Sequence, residues 1–66
     1  MKKKLKPRNR QVLELVSHGL KREDIAQEMG IPIGTVDNRL KVARKAFGAE
    51  TNAQAVAIAI REKEIK

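Results

Sequence analysis

Sixty-six residues make one domain at most, and a domain of that size buries only about 60% of the surface its unfolded chain exposes, so its core is thin. The chain has no cysteine, which excludes disulfides and thiolate metal sites and leaves helix packing or oligomerisation as sources of stability. Lys and Arg number 15 against 8 Asp and Glu, and the resulting +7 favours an acidic partner, most simply nucleic acid, over charge carried for solubility alone.

Other classes fall away on residue types. There is no long apolar run for a membrane span and no signal-peptide pattern, so the expectation is a soluble, cytoplasmic protein. The hydroxyls are Ser17, Thr35 and Thr51, the one histidine is His18, and no base stands at a recognisable spacing from a nucleophile. An enzyme, a metal site, a cofactor and a small-molecule ligand are therefore not expected. Phe47 is the only aromatic residue, so the chain lacks the stacking platform on which single-strand and RNA binders rely, and duplex DNA is the better match.

In chain order, residues 1–6 read as a basic N-terminal arm and residues 7–66 as one folded domain. Lys2, Lys3 and Lys4 read as a solvated terminus in preference to an arm laid on phosphates or a minor groove. Pro7 suits a first helical turn. The first helix is expected from about Arg8 to His18, with Val12, Leu13, Val16 and Leu20 inward, Leu15 at the flank and Gly19 just past the end. His18 sits favourably at that C-terminus and takes no catalytic or metal role. The second helix, Arg22 to Met29, turns Ile25, Ala26 and Met29 inward and carries Glu23 and Asp24 in its first turn, where they complement the dipole. Gly30 ends it. Two helices joined by a tight, glycine-containing turn make a helix-turn-helix.

The third helix, from Pro32 or Ile33 to Phe47, organises the rest. At about 100° per residue, Ile33, Val36, Leu40, Ala43 and Phe47 form one stripe, while Asp37, Asn38, Lys41, Arg44 and Lys45 gather on a different side. Gly34 in its first turn costs roughly 1 kcal/mol relative to alanine. Either the backbone approaches a phosphate or the preceding helix closely there, or the glycine is simply tolerated. The fourth helix opens on Thr51 with Gln54 three residues on, a capping box, and is expected to run to about Lys63. Ala55 to Ile60 alternates like a strand, but alanine favours helix and no partner strand exists. On a helix, Val56, Ala59 and Ile60 face one way while Ala55, Ile58 and Ile65 lie off that face. A helix apolar on more than one side wants a second burial partner, and a second copy of the chain is preferred to a few exposed apolar residues.

These residues resemble a known family. Gly19-Leu20, Glu23 with Ile25-Ala26, Gly30-Ile31, Gly34-Thr35-Val36 and Gln54-Ala55-Val56 together resemble the LuxR/GerE-type helix-turn-helix domain from Leu5 to about Glu62. The middle, from Gly30 to Phe47, looks equally like region four of extracytoplasmic-function sigma factors, which reads the promoter −35 element. The fourth helix favours the LuxR type, in which it forms the dimer interface. The implied fold is all-α, a compact four-helix helix-turn-helix domain of LuxR/GerE type from a bacterium or phage. The chain departs from the family at Lys6 and Lys21, where many members carry capping Ser or Thr, at Pro32, another common serine, and at Asp37, often lysine.

The expected function is a sequence-specific, double-stranded-DNA-binding transcriptional regulator, with the third helix in the major groove and the fourth joining a homodimer. Asp37, Asn38 and Lys41 are the candidates for base edges, and Lys21, Arg22, Thr35, Arg44 and Lys45 for phosphates. Arg39 either reaches a phosphate, as the sigma resemblance implies, or pairs with a carboxylate inside the domain. Ala55, Ile58 and Ile65 are the expected dimer contacts. The rival of another class is a sigma-region-four-like or adaptor module that docks on RNA polymerase or another transcription factor.

Overall fold

The computed structural model describes residues 4–66. They form four helices, α1 (Pro7–Ser17), α2 (Arg22–Met29), α3 (Ile33–Phe47) and α4 (Asn52–Arg61), with no strand among the described residues. No helix among them is long and apolar enough to cross a membrane.

Each boundary has a local cause. Pro7 stands at the start of α1, where its missing N–H would have no helical partner. Gly30 and Gly48 close α2 and α3 at φ +66° and +64°, a left-handed conformation in which other residues are strained. The chain reversal past Gly30 lets the Ile31 amide donate to the Ala26 carbonyl at 3.0 Å, and past Gly48 the Ala49 amide donates to Arg44 at 2.8 Å. Lys6, Lys21 and Pro32 precede α1, α2 and α3 without any side-chain cap. Only Thr51 caps: its Oγ1 accepts from the Gln54 amide at 3.0 Å. The Gln54 side chain reaches back to the amide of Glu50 at 2.8 Å, one residue before the position a reciprocal box would use.

α3 is the hub, packing on each of the other three helices, while α2 packs on α1 and α3. The core takes Val12 and Leu13 from α1, Ile25 from α2, Val36, Leu40 and Ala43 from α3, and Ala55 and Ala59 from α4. Three of these eight are alanines, so α4 and the end of α3 approach through small side chains rather than by interdigitating large ones.

Several expectations need correction. α1 ends at Ser17, with His18 as its cap, and α4 ends at Arg61, because Lys63 turns to φ +61° and leaves the helix. Ile33 stands 36% exposed at the start of α3, so the buried stripe begins at Val36. Ala55 and Ile65, expected at an intermolecular interface, are core residues at 0% and 5% exposure, whereas Ile60, expected inward, is 46% exposed. The reason is rotational. α4 is oriented by Ala55 and Ala59, the positions that allow closest approach, and this turns Ile60 outward. Nor is the basic arm separate from Lys4 onward. Leu5 is buried in the core, its carbonyl accepts from Arg10 Nη1 at 2.7 Å, and the Lys4 and Leu5 amides donate to the Glu64 carboxylate at 3.0 and 3.1 Å. Lys2 and Lys3 of the expected arm lie outside the described residues.

Candidate nucleic-acid interface

With Val36, Leu40 and Ala43 fixed in the core, the helical period decides what α3 presents outward. Asp37, Asn38, Lys41 and Lys45 are all exposed and share the arc opposite the buried stripe. A helix of fifteen residues is about 22 Å long, so this arc is a rigid, continuous ridge. Arg44 and Lys45 lie in its last turn, where positive charge also complements the dipole.

The cations around the ridge are not equivalent. Lys21 and Arg22 are exposed at the start of α2, and Lys45 is exposed on α3. Arg22 Nε donates to Asp37 Oδ1 at 2.9 Å, which ties the first turn of α2 to α3. Arg39 is half-buried on the flank toward α1: its Nη1 donates to Asn9 Oδ1 at 3.0 Å, and its Nε is buried without a partner. Its internal partner is therefore an amide, not the carboxylate that the sequence suggested. Arg44 is half-buried on the other flank and donates through Nη1 to Asn52 Oδ1, joining the end of α3 to the start of α4. Thr35 is half-buried at the edge of the ridge.

Sequence reasoning missed Val42, which is 40% exposed and lies one turn beyond Asn38 on the outward side. An apolar residue at the one position of α3 where the stripe pattern calls for a polar one is the signal that marks it. Gly34 is also outward. A Cβ built on it would meet nothing within 4 Å, so no close approach to the preceding helix accounts for the glycine.

On α4, Ile58 is half-buried, and Ala53, Ala57 and Ile60 form an outward strip at spacings of four and three. No group of His, Cys, Asp or Glu suited to a metal occurs among the described residues.

The family model described as "Sigma-70, region 4" matches residues 1–47, which takes in the whole helix-turn-helix and ends with α3. The chain belongs to the sigma-70 region 4 family. A solved structure described as that of the transcription factor GerE superposes on this sigma-70 region 4 domain with a TM-score of 0.93 at 23% sequence identity, covering 98% of this chain and 97% of that one. Comparison with curated proteins finds no match. The two resemblances read from the sequence thus meet in one molecule: a region-4 family match over the first three helices and a GerE-like fold that includes the fourth.

Proposed function

We propose that this domain is a sequence-specific binder of duplex DNA that regulates transcription, with α3 seated in the major groove. The observation that carries this reading is the two-sidedness of α3: a stripe buried on three helices, and opposite it an exposed ridge of Asn38, Lys41 and Lys45. Asn38 is suited to pair in bidentate fashion with adenine, Lys41 to reach guanine O6 or N7, and Val42 to touch a thymine methyl. Lys21, Arg22, Thr35 and Lys45 rim the ridge and serve phosphates, as do Nη2 of Arg39, whose Nε is buried, and the guanidinium nitrogens that Arg44 has not spent on Asn52. A homodimer would form through the α4 strip of Ala53, Ala57 and Ile60, flanked by Ile58, and would place two ridges on a two-fold symmetric site.

Selection of bound sites from a random duplex pool tests all of this together. A single enriched motif with two-fold symmetry is expected, with an affinity that falls steeply with salt, at a log–log slope of about −0.9 per phosphate neutralised. An affinity that barely changes between low and moderate salt would remove the phosphate assignments. Replacing Lys41 with alanine should change the preferred base at one position, whereas Lys45→Ala should weaken every sequence alike and make the salt slope shallower by about one. Indistinguishable losses from the two changes would abolish the division between base and phosphate contacts.

The region 4 match, which spans α1 to α3, raises one rival, a module that docks on RNA polymerase; α4, outside that match, would then meet the partner instead of a second copy. Sedimentation separates the two, since a monomer at high concentration that binds no duplex points to the polymerase.

A further inference from the structure

We infer that Asp37 is a positioning residue, holding the Arg22 guanidinium by its Nε so that the Nη edge faces a DNA phosphate. The inference rests on the DNA-binding reading above and refines it. Asp37 is the only acidic residue of α3, and it stands on a face otherwise made of Asn38, Lys41 and Lys45. A bare carboxylate there would repel the backbone of a duplex. It is not bare: Arg22 Nε lies 2.9 Å from Oδ1, with side chains 56% and 47% exposed.

Guanidinium geometry gives that contact a direction. The group is planar with five donors in a fixed fork, so engaging Nε sets the plane and points the Nη edge away from Asp37. No other hydrogen bond or ion pair of the Arg22 side chain occurs among the described residues, which leaves the Nη edge open for two parallel bonds to a phosphate. Glu23 and Asp24 follow Arg22 in the first turn of α2. Without Asp37, the guanidinium is free to fold back onto those carboxylates. As a fastener between α2 and α3 the pair contributes little, because exposed ion pairs are weak. Its orienting effect is the larger consequence.

The test turns on sign. Removing a carboxylate raises the net charge by one from +7, and charge alone predicts tighter binding to every duplex. If Asp37 orients Arg22, Asp37→Ala should instead weaken binding to the selected duplex on the order of tenfold. It should also make the log–log salt slope shallower by about one, a change that a merely structural role would not produce. Asp37→Asn keeps an acceptor oxygen for Nε and should recover part of the loss. In an Arg22→Ala background, Asp37→Ala should no longer weaken binding and should strengthen it. Tighter binding by Asp37→Ala in the otherwise native chain overturns the inference, as does a change of preference at one base pair that persists without Arg22. Each leaves DNA binding itself intact. A native chain that binds no duplex takes down the broader reading and this one with it.

Discussion

Leu40→Ala should remove a large share of the protein's stability, although the changed residue touches neither DNA nor a partner in the proposed function. Leu40 is 2% exposed, at the centre of the stripe by which α3 packs on the other helices. Truncating a buried leucine typically costs about 2–5 kcal/mol, the lost transfer energy plus the cavity left behind. Native domains hold roughly 0.05–0.15 kcal/mol per residue, so a chain of 66 residues has only about 3–10 kcal/mol in total. Urea unfolding followed by circular dichroism should show the midpoint collapse, and DNA binding should fall in proportion to the folded fraction. An unchanged midpoint would mean that the stripe does not support the fold. The same change at Val42, on the outward side of the same helix, should hardly move the midpoint, because the side chain is already 40% exposed.

Removing residues 64–66 should destabilise the domain nearly as much, although three residues beyond the last helix would ordinarily be dispensable. Ile65 is 5% exposed, and burying an isoleucine side chain contributes about 1.5–3 kcal/mol. Glu64 is 6% exposed, and its carboxylate accepts the amides of Lys4 and Leu5, fastening the chain ahead of α1 to the chain behind α4. Lys4 adds to the clasp through its ammonium, 5.7 Å from the centre of the Phe47 ring and 3.8 Å from Glu62. Hydrogen bonds to a charged group contribute about 1.5–3 kcal/mol each, so the deletion should lower the urea midpoint substantially. Glu64→Ala should reproduce part of the loss. Glu64→Gln should fall between, since its amide offers one acceptor where the carboxylate offers two. If the deletion leaves the midpoint where it was, the clasp contributes nothing to folding in solution.

The residue pattern alone determined the four helices, the tight turn between α2 and α3, the buried centre of the α3 stripe at Val36, Leu40 and Ala43, and the exposed ridge opposite it. All of these follow from local information: helical period, a proline at one helix start, glycines past the ends of α2 and α3, and a threonine cap. Rotation about α4 was not local. Its alanines and isoleucines are distributed so that two faces look apolar, and only close packing against α1 and α3 selects Ala55 and Ala59 as the inner one. For the same reason Ile65 changed from expected interface to core, and Ile60 from core to surface.

The pairings that shape the ridge were likewise decided by tertiary structure. Arg22 and Asp37 are fifteen positions apart, and Arg39 and Asn9 thirty. Composition lists such residues as cations and acceptors without saying who meets whom. Which charge is spent inside the fold and which is left to face a polyanion depends on how helices stack, and stacking is set by contacts between residues remote in the chain.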